Sequence, residues 1–278
     1  MTRTLLAGLV SPVAFLISSC GLAPQVELIP GDPGAPSQVE PSEAIAIAQE
    51  LAGHQWKPFA NNILHGRDKQ GIVVHTPDIG HARDTKRKGW WVPGEVNVGI
   101  PYKWGGFDGP DDFDAAIASG LAGGDVSSPA KRRANNAGVS RFAAGLDCSG
   151  YVSKCLKLPT VHDTSQLPSV CEVIADPYSV QPGDLMNIPR GHVLLLAGWA
   201  KRDKSWIYYY DTGGGPDYWR PSLKKAPTRK LLDLGYQTLR YKGMARAADG
   251  KVVIKSPLLT RSITNRALAV DEPTIGEP

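Results

Sequence analysis

Apolar positions along the chain change their rhythm several times, and each change marks a different kind of segment. The first is one unbroken block, Leu5 to Ile17 in "MTRTLLAGLVSPVAFLISSC", led by Arg3 and closed by Ser18 and Ser19. A charged start, an apolar middle and small residues before a cut are the layout of an export signal, here residues 1–19, and the block is too short to span a membrane. Residues 20–41 lose all periodicity and fill with Pro and Gly, as a flexible tether does. A helical period then appears in "EAIAIAQELAGHQW" (43–56), with Ile45, Ala48, Leu51 and Ala52 on one stripe, Ser42 as the expected N-cap and His54 near the end.

Segment 57–95 is irregular, with a strand expected in "GIVVH" and turns at "TPDIG" and "VPGE". Trp90 and Trp91 read as packing residues. In "FDGPDDFDAAIASG" the aspartates lack calcium-loop spacing and a closing Glu, and they suit the positive end of a helix. "SSPAKRRANNAG" repeats the logic, with Ser128 as cap, Pro129 in the first turn, and Lys131, Arg132 and Arg133 on a solvated face. Residues 107–144 therefore read as a helical insertion. "CSGYVSKCLKL" is a short helix, after which the strand period takes over in "GHVLLLAGWA", "SWIYYYDTGG" and "YQTLRYKGM". Consecutive strands without intervening helices predict an antiparallel sheet and an α+β class. The tail, residues 247–278, holds one strand candidate, "KVVIKS", and ends in "DEPTIGEP".

Composition adds bounds. At 278 residues, 42% of them hydrophobic and 21% charged, the chain suits one globular core, or one core with a small accessory unit. The formal charge is +4; loss of Arg3 with the signal leaves 4 − 1 = +3. That is too weak and scattered for a nucleic-acid partner. The chain reads as a monomer.

Four cysteines are present, Cys20, Cys148, Cys155 and Cys171. "ISSC" resembles the lipobox of bacterial lipoproteins, which implies that Cys20 becomes the lipid-bearing N-terminus and that the membrane is reached through this lipid. Gly21 in place of Asp would suit an outer-membrane destination in a Gram-negative cell. Outside the cytosol the remaining three cysteines allow a Cys155–Cys171 disulfide with Cys148 free, or two buried, unpaired thiols beside it.

The motif "GLDCSGYV" places Cys148 at a loop-to-helix junction. There the outward N–H groups and the helix dipole favour negative charge and offer donors to an oxyanion, while Gly150 permits close approach. A nucleophile needs a base. His192 opens an apolar strand 44 positions later, and its second ring nitrogen requires an acceptor. Asp211, closing the next strand, is the candidate acceptor if the two strands form a hairpin; Asp184, in the turn "PGDL", is the rival and the candidate turn cap. His65, His75 and His81 are scattered, and their spacing fits no common zinc motif, so no metal site is expected.

Taken in order, "GIPYKWGG", "GLDCSGYV", "PGDLM" with "GHVLLLAG", and "YYYDTGG" resemble the NlpC-type cysteine peptidases, papain-like bacterial cell-wall hydrolases, over residues 99–215. The resemblance implies a papain-like fold in which the helix carrying Cys148 packs on an antiparallel sheet. It implies a catalytic domain over 99–246, with 42–98 as a packed N-terminal extension. The activity implied is cleavage of peptidoglycan stem peptides at γ-D-glutamyl and diamino-acid bonds in the cell envelope, with no cofactor. Cys148 matches the nucleophile, His192 the base and Asp211 the third polar position, where the family more often has His. Tyr102 matches a tyrosine beside the nucleophile, and Trp104, Asp147 and Ser149 fall on the expected substrate side. Two other readings keep the same dyad, an N-acetylmuramoyl amidase and a transglutaminase-like acyltransferase. A third is a non-catalytic cell-envelope binding module.

Overall fold

Strand His192–Trp199 runs through the middle of the molecule. Its apolar run is uninterrupted because both faces are covered: Val193, Leu195 and Ala197 join one buried cluster, and Leu194 and Leu196 join another. The computed structural model to which it belongs describes residues 38–81, 87–214 and 217–245. The segment read as an export signal, Cys20, most of the expected tether and the 247–278 tail with its strand candidate lie outside the described residues.

Six strands form the main sheet, in the order Ser222–Pro227, Trp206–Asp211, His192–Trp199, Leu185–Ile188, Gln237–Tyr241 and Cys171–Val173. Every neighbouring pair is antiparallel. The molecule is therefore of mixed α+β type. Three of the strands coincide with the periodic runs in the sequence. Leu185–Ile188, Ser222–Pro227 and Cys171–Val173 do not announce themselves, being short or polar.

One face of the sheet is covered by helix Cys148–Cys155, whose Tyr151, Val152 and Cys155 lie in the same buried cluster as Val193 and Leu195. Helix Pro41–Gly53 lies against it, and Tyr151 donates its hydroxyl to the Ala48 carbonyl at 2.7 Å. The start of that outer helix departs from expectation. Glu40 is the N-cap and Pro41 opens the first turn, because proline's fixed φ suits that position better than Ser42 suits the cap. Helix Thr228–Asp233 covers the other face, inserting Leu231 beside Met186 and Tyr236.

Trp56, Trp91 and Phe113 pack into the main core, with the rings of Trp56 and Phe113 edge-to-face at 4.9 Å. This ties the region before residue 99 and the helical insertion to the sheet domain. Within the insertion, helix Pro110–Ala118 starts with Asp111 and Asp112 in its first turn, and Ser128 caps helix Pro129–Ala134 through the Lys131 amide. Lys131 itself is a correction. It turns away from solvent, donating to Asp125 at 2.6 Å and to the Gly138 carbonyl at 2.8 Å.

The disulfide reading is also corrected: Cys155 and Cys171 are free. Cys155 ends a core-facing helix and Cys171 opens a strand paired with Tyr241, so each behaves as a small apolar side chain. Burial pushes both thiols up, Cys171 to about 12.

Candidate active site

Asp147 sets the position of Cys148. Its extended backbone makes it the N-cap of the helix, and Oδ1 accepts the Gly150 amide at 2.7 Å and the Ser149 hydroxyl at 2.8 Å. Oδ2 accepts the Gly105 amide at 3.0 Å, clamping the "PYKWGG" turn onto the helix start. Burial raises the Asp147 carboxyl, and these three bonds oppose that rise. The resemblance puts Asp147 and Ser149 on the substrate side. Their polar groups are instead committed to each other and to the backbone, which makes them positioning residues for a half-buried Cys148.

The glycines around the cysteine have a steric purpose. A Cβ on Gly150 would lie 1.8 Å from the Gly106 carbonyl oxygen, and one on Gly145 would lie 2.2 Å from that of Pro101, at a φ of +145°. The helix start and the turn thus meet backbone to backbone.

His192 and Asp211 come together across the hairpin of strands His192–Trp199 and Trp206–Asp211. His192 Nε2 lies 2.7 Å from Asp211 Oδ1. With Nε2 donating to the carboxylate, Nδ1 is the nitrogen left for a proton or a lone pair, and Cys148 acts on the same imidazole. Burial alone would favour neutral imidazole, but the charges of Asp211 and Cys148 and the bonds to both outweigh it and push His192 up to about 10. Burial likewise opposes ionisation of Asp211. Lys224 and His192 overcome it and hold the carboxyl well below the usual carboxylate range.

Lys224 is a site residue that the sequence does not single out. It donates to Asp211 Oδ2 at 2.9 Å and to the Gly214 carbonyl at 2.5 Å, with both charged side chains almost fully buried. The only local signal is the strand period: in "SLKKAP" Lys224 shares a face with Ser222 and Ala226, whereas Lys225 points the other way. The rival Asp184 is engaged elsewhere. It accepts two bonds from Arg240, at 2.7 and 2.6 Å, and the Gln181 amide at 2.7 Å, so it caps its turn as expected.

Tyr102 is buried with its ring edge-to-face on Trp219 at 5.3 Å. Burial first, then the nearness of Cys148 and Asp147, pushes its hydroxyl well above the ordinary tyrosine range, so it remains a donor. The turn after Asp211 lies against it: a Cβ on Gly213 would sit 2.7 Å from Tyr102 Cε2. Trp104 is half-buried beside this cluster and donates to the Asn135 carbonyl at 3.2 Å.

His65, His75 and His81 are not scattered in space. Their rings approach one another to about 6 Å, an arrangement that sequence spacing could not reveal.

Comparison with protein-family models, with curated proteins and with solved structures finds no match to the chain.

Proposed function

We propose that the chain is a thiol-dependent amide hydrolase of papain-like, NlpC type, which cuts the peptide stems of peptidoglycan while held at the cell envelope by a lipid on Cys20. The observation that carries the chemistry is the hydrogen-bonded series His192–Asp211–Lys224, whose imidazole feels the helix-start Cys148. The four ordered motifs supply the substrate class, and the lipobox-like "ISSC" supplies the location.

In this reading the Cys148 sulfur attacks an amide carbonyl and forms a C–S bond. The carbonyl electron pair moves to oxygen, which backbone amides at the helix start, that of Cys148 included, would stabilise. His192, protonated and held by Asp211, gives its proton to the leaving amine as the C–N bond breaks. Water then attacks the thioester, returning a proton to His192 and releasing the acid and free Cys148. Lys224 balances Asp211, so the carboxylate stays ionised whichever form the imidazole takes.

The test is mass spectrometry of purified peptidoglycan incubated with the soluble chain from residue 21 onward, with Cys148→Ala as control. Stem peptides with new amino termini, produced only by the intact enzyme, are the expected result. Release of whole stems from the sugar would replace the endopeptidase with an amidase. Intact muropeptides from a folded chain whose Cys148 still reacts with thiol reagents would overturn the proposal.

A further inference from the structure

His65 and His75 sit directly opposite each other in the antiparallel ribbon of His65–Arg67 and Val73–His75, so their side chains leave the same face. His81 arrives from a tight turn, its amide donating to the Asp78 carbonyl at 2.8 Å. The rings of His65 and His75 are 5.8 Å apart, and each lies 6.1 Å from that of His81. One ligand nitrogen from each falls within 4.8 Å of the other two. A tetrahedral zinc ion with bonds of 2.0–2.1 Å needs nitrogens about 3.3 Å apart, so binding would draw the three rings closer by rotation about their side-chain torsions.

Two further features favour a cation over a merely stacked group. Behind the cluster, the buried carboxylate of Asp78 faces His65 Nε2 at 2.8 and 3.1 Å. With Nε2 donating to the carboxylate, Nδ1 is the His65 nitrogen left for a metal, as in the carboxylate–histidine arrangement that orients metal ligands. In front, the three rings line a cleft of about 410 Å³ whose other wall includes Gly80, Ser127 and Ser128. Among the described residues no carboxylate lines this cleft, so its ligand chemistry is imidazole nitrogen, which suits zinc-like transition ions and not calcium or magnesium.

We propose that His65, His75 and His81 bind one divalent transition ion of the zinc type, with Asp78 fixing His65 from behind and a fourth position open to the cleft. The site is separate from Cys148 but mechanically close to it. The His75 carbonyl accepts the Val126 amide at 2.9 Å, and the neighbouring Asp125 is bonded through its main chain to both Tyr102 and Trp104 at 2.8 Å. A bound ion would therefore brace the strand that supports the Tyr102 turn.

The test is titration of the chelator-stripped full chain carrying Cys148→Ala with Co²⁺, followed by displacement with Zn²⁺. One equivalent with tetrahedral visible absorption and no thiolate-to-metal band is expected. Binding should be lost in His81→Ala and in His65→Ala, retained in His54→Ala, and weakened about 10–100-fold in Asp78→Asn. X-ray absorption of the zinc-loaded, unsubstituted chain provides a reading that needs no variant, with an imidazole nitrogen shell expected. A folded chain that takes up neither ion, uptake that persists in folded His81→Ala, or sulfur in the metal's shell would overturn the assignment.

Discussion

His192 and Asp211 differ from an ordinary surface pair because each is charged at the expense of burial. For His192, burial favours the neutral ring, and Asp211 is the largest influence acting against it. Asp211→Asn removes that influence while keeping shape, so desolvation should count for more. The His192 ring resonance, expected to titrate near 10 in the unmodified chain, should then titrate at distinctly lower pH, with only Cys148 left to oppose burial. Lys224→Met should act in the opposite direction. Without the ammonium, Asp211 relies on the imidazolium alone, so His192 should hold its proton to still higher pH. The same change leaves a buried carboxylate short of one partner and should cost about 3–5 kcal/mol in urea unfolding. NMR titration of both variants separates the two effects. Displacements of the same sign would show that Lys224 is not electrically part of the site.

The helix that carries Cys148 is legible in the sequence because its instructions are local. Asp147 caps, Cys148 follows, and Gly150 marks a close approach, all within a few residues. The strand opened by His192 is legible for a similar reason, a long apolar run ended by a turn. What escapes depends on contacts between distant segments. Lys224 carries no signal of its own until strand Ser222–Pro227 is laid against Trp206–Asp211. The three histidines look ordinary until a ribbon and a turn bring them together. Cysteine arithmetic offers a disulfide, but parity says nothing about whether two thiols are better used as core side chains. The glycines themselves provide a test at this scale. Gly150→Ala drives a methyl into the Gly106 carbonyl, backbone against backbone, with no flexible side chain to yield. A loss of about 3 kcal/mol and of Cys148 reactivity is expected. Gly53→Ala, at the end of helix Pro41–Gly53 with nothing within 4 Å of the added carbon, should be neutral or stabilising by about 0.5–1 kcal/mol. Thermal unfolding of the pair checks both.

For the molecule as a whole, the partly buried His192 and the buried Asp211 make stability depend on pH in a predictable way. His192 has a folded pKa near 10 against an ordinary 6.5, so the folded state holds a proton that the unfolded chain gives up. Its contribution is fully present below pH 6.5 and is lost as pH rises through about 10. Asp211 is displaced the other way. Its contribution is present above the ordinary 3.8 and disappears only as pH falls through its depressed folded value. Between these limits lies a plateau, from about pH 4 to 6.5, in which both groups support the fold. A tenfold change in proton affinity between the folded and unfolded chain is worth about 1.4 kcal/mol, so the alkaline decline should amount to a few kcal/mol between about pH 7 and 10. His192→Gln removes the titrating ring but keeps a donor for Asp211. Urea unfolding across this range should therefore show a smaller decline in His192→Gln than in the unmodified chain, with the two curves converging at high pH. Parallel curves would mean that the alkaline loss comes from groups elsewhere, and that His192 does not carry the proton on which the proposed amine-leaving step depends.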